Sequence, residues 1–166
     1  MAGSEQSGIE AARADLFEGA VTILTPEEGA RRETVERLKK FWEGVGCRVA
    51  IATPRIHDEA VALISHLPHL TAAALVQAAM RENPLALDWR GNGFLDTTRV
   101  AMGAPEMWAG ILSENREAVK KAVHAMIENL SEVTKLLDAE ETGALEAFLA
   151  EARSARERLK QKTNSE

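Results

Sequence analysis

The chain has 166 residues, 45% of them apolar, with 26 acidic against 20 basic side chains and a formal net charge of −6. That length and apolar content give one folded domain, or one domain with part of a second, and the acidic balance without a dense Lys or Arg block excludes a phosphate-neutralising surface, so neither nucleic acid nor an anionic membrane is an expected partner. Cys47 is the sole cysteine, which excludes an internal disulfide; with no leader pattern and no run of about 18 apolar residues, a reducing cytoplasm is the expected location.

In chain order, residues 1–7 read as polar loop. Ser7 with Glu10 three residues later forms a capping-box pattern, and Ile9, Ala12, Leu16 and Phe17 at helical spacing predict a short helix over 7–17 that stops at Gly19. Residues 20–24, rich in β-branched and apolar side chains and closed by Thr25-Pro26, read as a strand. A helix follows with Val35, Leu38, Phe41, Trp42 and Val45 on one face, ended by Gly44 and Gly46. Residues 48–52 read as a second strand, which completes one right-handed βαβ unit. Two parallel strands leave both edges open, so this unit is expected to need more strands than these residues supply.

From Arg55 onward the strand signal disappears, and helices are predicted over about 56–80, 105–113, 115–137 and 140–159. The expected class is mainly α: a βαβ piece over residues 1–54, then an all-helical domain over 55–166. In the last two helices Val119, Val123, Met126, Leu130, Val133 and Leu137, and then Leu145, Phe148, Leu149, Ala152 and Leu159, recur every three or four residues. Such stripes serve an intramolecular core or a subunit interface. Helices this long in so small a domain predict a homodimer built on the helical part.

Residues 57–69 hold three of the four histidines and Pro68. Three residues advance about 300° along a helix, so His66 and His69 share a face, while His57 points across it. Pro68 removes a backbone donor and is expected to bend the helix near Ile64 and Ser65, opening a polar notch. The pair admits three readings: satisfied core or surface histidines, metal ligands, or oxygen-holding groups of a substrate pocket. The metal reading lacks a third ligand, since there is no second cysteine and no His-Glu-x-x-His pattern, and no metal is expected.

The stretch Trp89-Arg90-Gly91-Asn92-Gly93-Phe94-Leu95-Asp96-Thr97-Thr98-Arg99 follows no strand and lacks a third glycine, so it is not a dinucleotide fingerprint. Its glycines are expected to shape a loop that sets Arg99, and with it Arg90, toward an anion such as a carboxylate. An ion pair of Arg99 with Asp96 is the structural alternative.

Taken together, several ordered stretches resemble the prephenate and arogenate dehydrogenases. They are Met1-Ala2-Gly3-Ser4-Glu5-Gln6-Ser7-Gly8, Leu24-Thr25-Pro26, His57-Asp58 with Ser65-His66-Leu67-Pro68-His69, Gly93-Phe94 through Thr98-Arg99, and Pro105-Glu106-Met107-Trp108. The resemblance covers the chain to about Leu159. It implies that residues 1–54 are the end of a Rossmann-like domain binding NAD or NADP, and that 55–166 form a helical dimerisation and substrate domain. It further implies oxidative decarboxylation of prephenate to 4-hydroxyphenylpyruvate, or of arogenate, in tyrosine biosynthesis. By the same resemblance Arg99 grips a substrate carboxylate, His69 and His66 hydrogen-bond the substrate, Ser4 and Glu5 line and gate the pocket, and Trp108 forms an aromatic wall.

Departures accompany the match. The family's catalytic histidine would fall just ahead of Met1, and no glycine-rich dinucleotide turn is present, so no catalytic residue is expected in these residues and the chain is expected to be the C-terminal part of such an enzyme, inactive alone. Gln6 stands where lysine is common, Asn92 interrupts a glycine run, and Ala104 replaces a polar helix cap, a change worth about 1 kcal/mol. The alternative is a non-catalytic helical module for dimerisation or aromatic-acid sensing that keeps Arg99 and His69.

Overall fold

The computed structural model describes residues 8–9 and 12–164, with side chains to 161. The expected opening helix is absent over its described residues. In its place the chain runs through short turns closed by Ala12 N–H to Ile9 O (3.0 Å), Glu18 N–H to Asp15 O (3.1 Å) and Ala20 N–H to Phe17 O (3.1 Å). Eleven residues with four apolar positions bury too little surface to offset helix nucleation. Ser7 and Glu10, the expected capping box, lie outside the described residues.

Strand β1 (Val21–Leu24), helix α1 (Arg32–Gly44) and strand β2 (Arg48–Ile51) form the expected β–α–β unit. The two strands are parallel, with Val21 opposite Arg48 and Leu24 opposite Ile51. The tight entry to β1 is fixed by Gly19 N–H donating to Gly46 O at 2.8 Å; both glycines have positive φ, 69° and 92°, which a side chain would resist. Trp42 packs edge-on against Phe17, ring centroids 5.6 Å apart, and its carbonyl accepts from the N–H of buried Cys47 at 3.0 Å. On the same face α1 leaves Leu38, Phe41 and Val45 exposed, and Ile51 is exposed on β2. A two-strand sheet cannot cover both faces of the elements around it.

After Thr53, whose Oγ1 accepts from Ile56 N–H at 3.3 Å, the chain is helical. Helix α2 (Pro54–Val61) passes through a π-helical turn (Ala62–His66) into α3 (Leu67–Glu82). The expected bend at Ile64 and Ser65 is thus a widened turn. Pro68 has no N–H to return to the carbonyl four residues back, and inserting an extra residue in the turn redistributes the bonds around it. No uninterrupted apolar run of about 18 residues occurs, but the continuous helix Pro54–Glu82, 29 residues, is apolar enough on average to cross a membrane by length and composition, a test that a core helix also passes. It nevertheless buries Ala62, His66, His69 and Ala72 and packs its α3 part on the three short elements that follow.

Those elements correct the loop expected at 89–99. After a 3-10 turn (Pro84–Leu87), residues Asn92–Thr98 form helix α4, with Gly91 at its cap, and Arg99–Met102 form a further 3-10 turn. The Gly-Asn-Gly run therefore opens a helix. Extended backbone at Gly91 (φ −98°, ψ 179°) turns the chain into it, and Thr97 and Thr98 hydroxyls donate to the Gly93 and Phe94 carbonyls at 2.8 and 2.7 Å. Helices α5 (Pro105–Glu114), α6 (Arg116–Asp138) and α7 (Thr142–Asn164) follow. The chain divides into two compact units, Met1–Lys120 and Lys121–Glu166. In the second, α6 ends on Glu140, a non-glycine residue at φ 55°, with Glu141 N–H bonded to Leu136 O at 3.2 Å and Glu140 N–H to Leu137 O at 3.1 Å.

Candidate functional site

Within the first unit, α3, the Arg99–Met102 turn and α5 bring together side chains far apart in sequence. Thr98, buried, anchors the end of α4, and the turn after it packs against α3. Helix α5 begins at Pro105 after Ala104, which supplies no side-chain cap, as expected. Trp108 sits one turn in, its N–H bonded to Ala104 O at 3.1 Å.

The result is a layered arrangement. The imidazole of His69 lies flat on the Trp108 indole, centroids 3.7 Å apart and planes 9° from parallel, while His66 meets the same indole edge-on at 6.3 Å and 85°. Both histidines are 7% exposed. His66 ends the π turn, so regular α spacing carries the chain from it to His69 and keeps both on one face. His57 points elsewhere: it borders a cavity of about 280 Å³ with Phe17, β1, Trp42 and Val61, and its Nδ1 pairs with Asp58 Oδ1 at 3.0 Å.

Asn115, at the junction of α5 and α6, decides the state of His66. Its Nδ2 donates to the Asp58 carbonyl at 2.8 Å and lies 3.3 Å from His66 Nδ1. A carbonyl only accepts, so the atom facing it is the amide nitrogen, and the same nitrogen donates to His66 Nδ1. The His66 proton then resides on Nε2, leaving that atom a donor. Burial holds the His66 imidazole below the ordinary histidine value, with Asp58 pulling it up and His57 pushing it down. Burial likewise lowers His69, opposed by hydrogen bonding to the Val100 backbone. Both rings are therefore neutral near pH 7. His69 Nδ1 is buried and has no hydrogen-bond partner among the described residues. A buried polar atom without a partner costs about 1–3 kcal/mol, so this one calls for a water or other group beyond the described residues.

Of the residues singled out from sequence, the structure brings together His66, His69 and Trp108. Arg99 is exposed at the first residue of the turn that packs on α3, while Ser4 and Glu5 lie outside the described residues. Two contributors escaped the sequence reading. From sequence Asn115 reads as the start of a helix, and Gly103 has no role; an Asn between two helical stretches is the signal that could have raised the first.

Comparison with known proteins follows this geometry. Residues 53–151 match the prephenate dehydrogenase dimerization domain and residues 1–51 the prephenate dehydrogenase nucleotide-binding domain. The chain is 35% identical over 162 residues to a prephenate dehydrogenase of Bacillus subtilis, covering 96% of this chain and 44% of that protein. It is 29% identical over 164 residues to a cyclohexadienyl dehydrogenase of Zymomonas mobilis, covering 96% and 56%. Among solved structures it superposes on the prephenate dehydrogenase of A. aeolicus in complex with hydroxyphenyl propionate and NAD+ with a TM-score of 0.88, at 34% identity, covering 95% of this chain and 56% of that one. A Synechocystis arogenate dehydrogenase gives 0.86 at 32% identity, covering 95% and 59%. The chain thus spans about half the length of these relatives. With one match spanning most of its helical part and the other its β–α–β unit, the chain belongs to the prephenate dehydrogenase family.

Proposed function

We propose that these 166 residues are the C-terminal part of a prephenate dehydrogenase, supplying its substrate pocket and dimer interface. The observation that carries this is the stack of His69 on Trp108 beside a neutral His66, with His69 Nδ1 buried and unpaired among the described residues. The indole and imidazole form an aromatic wall. His66 Nε2–H donates to a substrate oxygen, His69 Nδ1 supplies the second polar contact, and Arg99 attracts a carboxylate with its guanidinium fork. Ser4 and Glu5 are assigned to the pocket rim. A neutral donor, an aromatic wall and a cation suit an acid such as prephenate or arogenate, and uncharged rings do not compete for its charge.

The reaction assigned to the whole protein is oxidative decarboxylation, which needs NAD or NADP as hydride acceptor. The described residues do not fit that dinucleotide. The turn from β1 into α1 carries Pro26, Glu27, Glu28 and a single glycine, Gly29, rather than a glycine-rich run, and α1 begins at Arg32 after Arg31, which supplies no side-chain cap. The role of residues 1–54 is accordingly to complete a sheet, and that of 55–166 to bind substrate and to dimerise. The apolar residues Leu130, Leu137, Leu149 and Leu159, exposed on α6 and α7, support a homodimer, and the lone free Cys47 is compatible with a reducing cytoplasm.

Calorimetry with hydroxyphenyl propionate tests the pocket. Binding that is weakened at least tenfold by Arg99→Ala and by His69→Ala is expected, together with no NAD or NADP reduction on prephenate. Absence of binding by a folded chain would remove the pocket assignment, and turnover would remove the division of labour. Sedimentation showing a monomer at micromolar concentration would remove the dimer.

A further inference from the structure

Gly103 lies in the two-residue link between the Arg99–Met102 turn and α5. Its backbone angles, φ −60° and ψ 149°, are extended values that any residue adopts, so conformation does not call for glycine. Glycine in such a link even adds entropy to the unfolded chain that alanine would not. The reason lies in space. A Cβ on Gly103 would stand 2.8 Å from Trp108 Cδ1, nearer still to Trp108 Nε1, and 3.3 Å from His69 Cε1. The other described glycines have open space at that point, except Gly46, where the nearest atom is a backbone carbon at 3.2 Å.

The indole has no easy retreat. Its face already touches the His69 ring at a centroid distance of 3.7 Å, and its backbone is tied into the first turn of α5 by the bond to Ala104 O. In helix-start terms Gly103 precedes the cap and Trp108 is the fourth helical residue. An apolar side chain at the first position commonly packs on the second; here the indole itself fills that space.

We propose that Gly103 is a positioning residue: the side chain it lacks lets Trp108 close on His69 and so fixes the plane of the imidazole that carries the unpartnered Nδ1. The inference rests on the pocket reading above for its functional meaning. Alanine at 103 drives the indole either into the imidazole or out of the pocket, and both tilt His69.

A double-mutant cycle on the 166-residue chain tests this, with Gly103→Ala, Trp108→Ala and the pair. Two readouts are followed: hydroxyphenyl propionate affinity by calorimetry, and the NMR shift of the His69 Cε1 proton, which the stacked indole displaces by its ring current. Gly103→Ala is expected to abolish that displacement and weaken binding by about tenfold or more, as overpacking against a fixed ring does. In the Trp108→Ala background the same change is expected to alter affinity by less than about twofold, since the opposing ring is gone. An unmoved His69 resonance in Gly103→Ala, or equal losses in both backgrounds, overturns the proposal. Should Gly103→Ala fail to fold, recovery of folding in the double variant supports it and continued failure overturns it. If the parent chain binds no hydroxyphenyl propionate while the His69 resonance still depends on Gly103, the pocket reading falls and the positioning role stands.

Discussion

His69 and Trp108, 39 positions apart in the sequence, stack with their ring planes 9° from parallel and centroids 3.7 Å apart. The contact joins α3 to the start of α5 and carries both the stability of this corner and the environment of the imidazole. Replacing Trp108 with Leu keeps an apolar group and loses the stacked face, worth about 1 kcal/mol beyond burial. A lower thermal midpoint is expected, with the His69 pKa, now less buried, rising toward the ordinary histidine value. An NMR titration that leaves His69 in place would show that the indole is not what buries it.

Asn115 fixes His66 by donating to Asp58 O and His66 Nδ1. Asn115→Ala should destabilise the chain by about 1–2 kcal/mol, one or two net hydrogen bonds, and release the His66 tautomer. Long-range nitrogen–proton NMR reads the tautomer directly. An Nε2-protonated His66 that persists in the variant would mean that Asn115 is not its determinant.

Acid should weaken the fold through the same two rings. Both His66 and His69 titrate below the ordinary value of about 6.5 when folded. Above that value they are neutral in both states and stability does not depend on them. As pH falls below it the unfolded chain takes up protons first, so stability declines until the folded values are passed, by at most about 1.4 kcal/mol per pH unit for each ring. Denaturant unfolding at pH 7.5, 6.5 and 5.5 should show this decline, and a His66→Gln, His69→Gln chain should show a flatter one. Equal slopes in the two proteins would assign the acid sensitivity elsewhere.

Pro68 sets the π turn. Pro68→Ala returns a backbone donor, and relaxation to regular α-helix would rotate α2 against α3 by about 100°, the angle of one inserted residue. Greater helix stability with weaker hydroxyphenyl propionate binding is expected. Unchanged binding would show that the turn does not place the histidines.

Glu140 holds φ 55° where α6 ends, a conformation that costs an L-residue about 1 kcal/mol or more and glycine little. Glu140→Gly should therefore stabilise the chain by about 0.5–1 kcal/mol after glycine's greater unfolded-state entropy is counted, read as a higher midpoint of thermal unfolding. A lower midpoint would show that the glutamate side chain makes a compensating contact.

The elements themselves were legible in the sequence because they follow from local rules. Alternation and β-branching marked 20–24 and 48–52, apolar spacing marked α1 and the long helices, and Pro68 marked where the helix between Pro54 and Glu82 would deform. The reading failed where local signals were weak or shared. Four apolar residues at helical spacing did not make a helix before Gly19, since among them only Phe17 and Leu16 are covered even in part, and Gly91-Asn92-Gly93 opened a helix where a loop was expected. Sequence placed His66 and His69 on one face, and by itself it could go no further, since a face is a property of one helix. That the face meets Trp108, that Asn115 fixes the tautomer of His66, and that Gly103 leaves room for the indole were decided only by the tertiary structure, through distances of 3–4 Å between residues that no periodicity connects.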